Sequence, residues 1–135
     1  MTGVQTCALP IWYALVTCVV VGVSHLVQPR AWAAAFAALH RLGPPGAFVN
    51  GGLSLVPGAA FVAAHPVWTG PATALTVLGW ALVVKGTVCL LAPSIALRGM
   101  GRAGAGRGRE FSAGGVMLLA LAGTVGYVLW AGVTP

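Results

Sequence analysis

One charged side chain in this sequence lies within a long apolar segment, which makes it the strongest candidate for chemistry. Lys85 is the sole charged residue of the run 72–92, ATALTVLGWALVVKGTVCLLA. A charged lysine near the centre of a bilayer costs about 2.5–3.5 kcal/mol on insertion scales, so its ammonium should face protein or water rather than lipid. We therefore expect Lys85 to belong to a polar site inside the protein.

Three polar residues of other apolar segments could surround this lysine. Counting from the ends of the predicted helices places Ser54 at the depth of Lys85, Asn50 one turn away, and His25 near the same end. These segments contain no carboxylate, which excludes a carboxylate proton relay and an intramembrane ion pair. The hypothesis is a site for a small polar or anionic ligand or a lipid headgroup. The alternative is a structural lysine bonded to Ser, Asn or backbone carbonyls.

The other reactive residues do not suggest a catalytic or metal centre. His25 and His40 are expected near one membrane face and His65 near the other, whereas a zinc site gathers three or four ligands. Ser24 and His25 are adjacent on a helix and point about 100° apart, so they do not form a nucleophile and base. We expect no cofactor, and an enzyme is the weaker expectation.

The composition requires a membrane environment. Hydrophobic residues make up 59% of the chain and charged residues 6%, whereas soluble domains carry about 25% charged residues. The net charge of +6 reflects a near absence of acids, since Glu110 is the only one. Nucleic-acid binding is disfavoured because it requires a basic stripe on a soluble face.

Four apolar segments approach the roughly 20 residues needed to cross a bilayer as a helix. We predict an all-α integral membrane four-helix bundle, a single domain over 12–135, with a short interfacial helix between the first and second spans. The expected spans are 12–27, 47–64, 72–92 and 111–131.

The distribution of arginine predicts the orientation. All six arginines fall in the first and third connections, which lie on the same side of a four-span protein. The positive-inside rule places that side in the cytoplasm of a bacterial inner membrane, with both termini outside. Helical side chains lean toward the helix N-terminus, so Lys85 is expected to lean away from the cytoplasm. Interfacial positions are expected for Trp32, Trp68 and Trp130.

The third connection, from Ser94 to Arg109, is rich in glycine as well as arginine. We expect it to be a flexible loop near anionic lipid headgroups, with each arginine contributing about 1 kcal/mol of surface attraction. The alternative is a topology determinant without a ligand. The arginines concerned are Arg98, Arg102, Arg107 and Arg109.

Small residues predict how the spans pack. Gly51 and Gly58 share one face of the second span, and Gly79 and Gly86 share one face of the third. Membrane helices associate closely through such residues, so a tight contact between these spans is expected. A composition rich in glycine and alanine could also produce these pairs by chance.

Two parts of the sequence resemble known sequences. Residues 1–11, MTGVQTCALPI, resemble the translation of a sequencing adaptor, so we expect the native protein to begin upstream and exclude them from functional inference. The strings SHLVQPRAW, NGGLSLVPGAA and HPVWTGPATALTVLGWALVVKG resemble a group of uncharacterised small bacterial four-helix membrane proteins. That resemblance directs attention to Asn50, His65, Trp68, Gly79, Trp80 and Lys85.

The functional expectation follows from these features. The leading hypothesis is a non-enzymatic membrane component that binds a small polar ligand or a lipid, or that serves a larger complex through its glycine-rich faces. The alternative is a small transporter or channel, as a homo-oligomer because a single four-helix unit has little room for a pathway.

Overall fold

The protein consists of helices joined by short turns, as expected. A computed structural model describes the backbone of residues 3–105 and 108–133 and the side chains of 9–105 and 108–132. This part of the chain forms six helices: α1 Gly3–Val27, α2 Pro29–Arg41, α3 Pro44–Ala64, α4 Thr73–Leu91, α5 Pro93–Ala105 and α6 Arg109–Val133. The all-helical prediction is confirmed.

Four of these helices are long and apolar enough to cross a membrane. The candidate spans are Leu9–Val27, Pro44–Ala64, Thr73–Leu91 and Arg109–Gly132. A chain with four such helices is a multi-pass membrane protein by length and composition. Helix α1 begins at Gly3, so it includes part of the adaptor-like stretch 1–11.

Proline and glycine set the boundaries between the helices. Pro29 and Pro93 each begin a short helix, and a single residue separates each of them from the end of the preceding long helix. Proline suits the first turn of a helix. Gly43, with φ 66°, separates α2 from the two prolines that open α3. A positive φ is readily adopted by glycine, so the chain can reverse sharply here.

Helices α2 and α5 pack antiparallel against each other at one end of the bundle. A Cβ at Gly104 would lie 3.2 Å from Cβ of Ala37, and one at Gly101 would lie 3.1 Å from Cε1 of His40. His40 Nδ1 also lies 2.9 Å from the Leu97 carbonyl oxygen. We call α2 and α5 the cross-helix layer, since each one connects two long helices at this end.

The expectation of a flexible loop over Ser94–Arg109 is wrong for most of that segment. Residues Pro93–Ala105 form α5, in which Met100 is buried while Arg98 and Arg102 are exposed. The glycines of this segment lower its helix propensity, but packing against α2 stabilises the helix. Arg109 begins α6 and is exposed. Arg107 lies outside the described residues.

Helices α3 and α4 pack closely in an antiparallel arrangement. A Cβ on Gly86 would lie 2.7 Å from Cβ of Leu55 and 2.9 Å from the Gly51 carbonyl oxygen. Further along, a Cβ on Gly58 would lie 3.0 Å from the Gly79 carbonyl oxygen. The four glycines named from the sequence therefore all lie in this contact.

A second glycine contact joins α1 to α6. A Cβ on Gly22 would lie 3.0 Å from Cγ of Leu119 and 3.2 Å from the Gly115 carbonyl oxygen. The sequence also suggests a stripe of Gly115 and Gly123 on α6, but a Cβ on Gly123 would meet nothing within 4 Å. Gly22 is instead the partner of Gly115.

Helices α4, α5 and α6 repeat the order of α1, α2 and α3. Gly22, Pro29 and Gly51 correspond to Gly86, Pro93 and Gly115, each pair separated by 64 positions. Gly22 meets Leu119 and Gly115, and its counterpart Gly86 meets Leu55 and Gly51, which correspond to Leu119 and Gly115 at the same offset. Few residues are identical between the halves, so the repeat is evident from these contacts rather than from the sequence. Reciprocal contacts of this kind are expected of two halves related by an approximate twofold axis.

Candidate functional site

A cavity of about 370 Å³ lies where α3 and α4 meet the cross-helix layer. This volume is within the range of about 300–1,000 Å³ that is typical of small-molecule sites. Its wall is mainly apolar, and its two nitrogen-containing side chains are those of Lys85 and Asn50. The lining residues are Phe36, Asn50, Lys85, Val88, Cys89, Ile95, Ala96, Gly99, Met100 and Ala103.

Lys85 contributes the one formal charge of the cavity wall. Its Nζ lies 5.7 Å from the centroid of the Phe36 ring, within cation–π range. Among the described residues, no hydrogen bond or ion pair is formed by this ammonium. Phe36 belongs to α2, so the ammonium lies near a ring of the cross-helix layer.

Asn50 lies across the cavity from α5, on the face of α3 that contacts α4. It is buried, and its Nδ2 donates to Cys89 Sγ at 3.8 Å, a long and weak hydrogen bond. Ser54 does not line the cavity. Its hydroxyl donates to the Asn50 backbone oxygen at 3.0 Å, which satisfies it within its own helix. Of these two predicted partners of Lys85, Asn50 therefore lines the cavity, whereas Ser54 is hydrogen-bonded within α3.

His25 belongs to an aromatic cluster in the other half of the protein. Its ring stacks on Trp32 with centroids 4.2 Å apart, and Phe111 lies 5.7 Å from it. Trp32 Nε1 donates to the Ser24 hydroxyl at 3.0 Å, and His25 Nδ1 lies 2.8 Å from the Val21 carbonyl oxygen. His25 thus does not join the Lys85 cavity, and Trp32 is an internal packing residue as well as a candidate for the interface.

The opposite end of the bundle contains the remaining histidine and two exposed tryptophans. His65 is the C-cap of α3, and its carbonyl accepts a hydrogen bond of 2.9 Å from the Thr76 hydroxyl. Its ring is buried, and neither ring nitrogen has a hydrogen-bond partner in the structure. Trp68 and Trp130 are 60% and 67% exposed.

The comparisons with known proteins do not identify this site. No protein-family model, curated protein or solved structure gave a significant match. Any functional conclusion therefore rests on the geometry of the cavity itself.

The chemical groups at the cavity wall define which ligand would fit it. Within the described ranges, no group of three or more His, Cys, Asp or Glu side chains could hold a metal ion. The cavity provides a donor-only ammonium, an amide and a broad apolar wall. A ligand that combines an anionic or hydrogen-bond-accepting group with an apolar body would match all three features.

Sequence reasoning missed the α5 wall and Phe36 as parts of the site. The sequence analysis does not include Phe36 in the site, and it predicts a loop where α5 lies. The recurrence of Ala96, Met100 and Ala103 at helical spacing is the available signal. The neighbouring glycines weaken this helical signal, because glycine lowers helix propensity.

Proposed function

We propose that this protein is an integral membrane binding protein for an anionic ligand with an apolar body. Lys85 would neutralise the anionic group, and the apolar walls from α4 and α5 would cover the body. The observation that carries the proposal is an ammonium that has no hydrogen bond or ion pair among the described residues, at the wall of a largely apolar cavity. The Lys85 side chain is exposed, and in an apolar span an unpaired charge favours a counter-charge.

Asn50 would supply the second polar contact. Among the described residues, its side-chain amide makes one hydrogen bond, the long one to Cys89, so its donor and acceptor capacity is largely available to a ligand. The ligand could come from the bilayer, as a lipid headgroup or fatty acid, or from solution as a small amphiphile. These sources share one chemistry, an oxyanion on an apolar scaffold, and they are separated by comparing vesicle-borne and soluble probes.

The proposed location is a bacterial inner membrane with the cross-helix layer in the cytoplasm. Arg30, Arg41, Arg98, Arg102 and Arg109 are all exposed and lie at that end of the bundle. Such a one-sided excess of arginine favours the cytoplasmic side and contact with anionic headgroups. Both chain ends would then be outside, and the interfacial position of α2 and the interface role of Trp68 and Trp130 belong to the same proposal.

Replacing Lys85 is expected to abolish selective binding of the anion. We expect Lys85→Met to reduce the affinity for decanoate by about tenfold or more, since one lost charge contact is typically about 1.5–3 kcal/mol. The affinity for decanol, which lacks the charge, should change little. Both affinities can be measured by titration calorimetry on the protein in phosphatidylcholine nanodiscs.

Arg98→Met is the matched control for this experiment. It removes one positive charge from the same end of the bundle, but Arg98 is exposed and does not line the cavity. We expect this variant to bind decanoate like the wild type. Equal losses in both variants would indicate a surface-charge effect and contradict the proposed site. Unchanged decanoate binding in Lys85→Met would contradict it as well.

The topology predicts opposite labelling at two exposed positions. In a chain whose Cys7, Cys18 and Cys89 are replaced by alanine, we expect Thr69→Cys to react with a membrane-impermeant maleimide from outside intact cells. Arg102→Cys should react only after the cytoplasmic side is opened. Labelling of Thr69→Cys from the cytoplasm alone would overturn the orientation.

A further inference from the structure

The Lys85 cavity occupies the position that a cluster of aromatic rings fills in the other half of the protein. Residues of the two halves correspond at a separation of 64 positions, as the glycine contacts show. At that separation His25, Trp32 and Phe111 correspond to Cys89, Ala96 and Ala47. The correspondence of these residues follows from the repeat of three helices. The inference drawn from it rests on the proposed binding function.

Where α1 and α6 meet the cross-helix layer, four rings form a cluster, those of His25, Trp32, Phe36 and Phe111, with the Phe36 and Phe111 centroids 5.0 Å apart. The indole of Trp32 stacks on the His25 ring with centroids 4.2 Å apart, and the Trp32 and Phe111 centroids are 6.5 Å apart. Its Nε1 is satisfied by the Ser24 hydroxyl. The planes of Trp32 and its two partners are nearly parallel, at 27° and 22°.

In the second half, the corresponding positions carry small side chains. Ala96 replaces the indole and Cys89 replaces the imidazole, and both line the cavity. Two more cavity residues on α5 are smaller than their counterparts, since Gly99 corresponds to Ala35 and Ala103 to Leu39. The open volume thus lies where the side chains have been reduced, and Ala47 lacks the ring that Phe111 supplies in the other half.

Other cavity positions carry larger side chains than their counterparts: Val88 and Ile95, which correspond to Ser24 and Ala31, are apolar, and two further positions become polar. Lys85 corresponds to Val21, and Asn50 corresponds to Gly114. The second half has therefore lost its rings and gained an ammonium and an amide at the same location. Random relaxation of packing would leave an apolar void, whereas this combination provides a shaped space with a polar wall.

We propose that the cavity binds a planar aromatic anion, such as an aryl carboxylate, whose ring takes the place that the Trp32 indole occupies in the first half. The ring would pack against Phe36 and Cys89, and the carboxylate would meet Lys85 and Asn50. Aromatic rings favour stacked or edge contacts with other rings, so Phe36 provides a preference for a ring over an alkyl chain. Ala96 is the specificity-determining residue, because its small side chain leaves room for the ring.

The test compares two anionic probes on the full chain in phosphatidylcholine nanodiscs. The probes are 2-naphthoate and decanoate, and the readout is the dissociation constant from titration calorimetry. We expect 2-naphthoate to bind about tenfold more tightly than decanoate, because a ring makes favourable contacts with Phe36 that an alkyl chain does not. Ala96→Trp should abolish binding of 2-naphthoate by filling the cavity as Trp32 fills its counterpart.

Ser94→Trp is the matched control, because it adds the same side chain to α5 at an exposed position that does not line the cavity. It should bind 2-naphthoate like the wild type. Thermal unfolding reports whether Ala96→Trp folds. If it does not, Ala96→Phe fills the cavity with a smaller ring and replaces it in the binding test. The comparison of the two probes on the wild type needs no variant.

The possible outcomes separate this inference from the proposed function. Preference for 2-naphthoate that is lost in Ala96→Trp supports both. Equal affinity for the two anions, or 2-naphthoate binding that persists in Ala96→Trp, overturns the aromatic site and leaves the anion site intact. Failure of both anions to bind the wild type overturns both proposals.

Discussion

Gly46→Ala is expected to destabilise the protein by about 3 kcal/mol or more, at the upper end of what overpacking costs. A Cβ at this position would overlap the carbonyl group of Leu39, where the end of α2 crosses the start of α3. The obstructing atoms belong to the backbone, so a side-chain rotation cannot relieve the overlap. The measurement is equilibrium unfolding in mixed detergent micelles, followed by circular dichroism.

Gly52→Ala is the control within the same helix. A Cβ on Gly52 would meet nothing within 4 Å. Because alanine is favoured over glycine in a helix interior by about 1 kcal/mol, this variant should be as stable as the wild type or slightly more stable. Similar unfolding curves for Gly46→Ala and the wild type would show that α2 does not cross α3 as the structure describes.

Gly86→Ala should separate α3 from α4 and destabilise the bundle by about 1–3 kcal/mol. Its Cβ would lie 2.7 Å from Cβ of Leu55, 2.8 Å from the Leu55 backbone nitrogen and 2.9 Å from the Gly51 carbonyl oxygen. Relief requires movement of the α3 backbone. In a bilayer, where close packing rather than the hydrophobic effect holds helices together, that movement loses the contact that joins the two spans.

The counterpart in the other half provides the comparison. A Cβ on Gly22 would meet chiefly the end of the Leu119 side chain, at 3.0 Å, and the nearest backbone atom would be 3.2 Å away. Leu119 can rotate, so Gly22→Ala should cost less than about 1 kcal/mol. Unfolding curves of both variants, recorded under the same detergent conditions, test this order. A larger effect at Gly22 than at Gly86 would contradict the described difference between the two contacts.

Much of the fold was accessible to sequence reasoning, since the features concerned are local. The four apolar segments, the break at Gly43 and the proline starts each depend on a few neighbouring residues. The error over Pro93–Ala105 had a different origin. Glycine and arginine in that segment gave a weak local signal, and the helix depends on its contact with α2, more than fifty residues earlier in the chain.

The candidate site was predictable in its central residues and not in its boundaries. Lys85 and Asn50 were identified because polar groups within apolar spans are conspicuous, and the cavity contains both. Ser54 and His25 were grouped with them by depth alone. Depth along a helix does not specify which neighbour a side chain faces, and the structure places His25 with Trp32 instead.

The sequence by itself determined that this chain forms helices suited to a membrane, where the helices break, and which ammonium within an apolar span needs an explanation. Those properties follow from hydropathy, helix period and backbone restrictions, which act over a few residues. Only the tertiary structure revealed the repeat of three helices, the cross-helix layer and the contrast between an aromatic cluster and an open cavity. The correspondence between residues 64 positions apart becomes evident from how the helices pack, because the two halves share few identical residues.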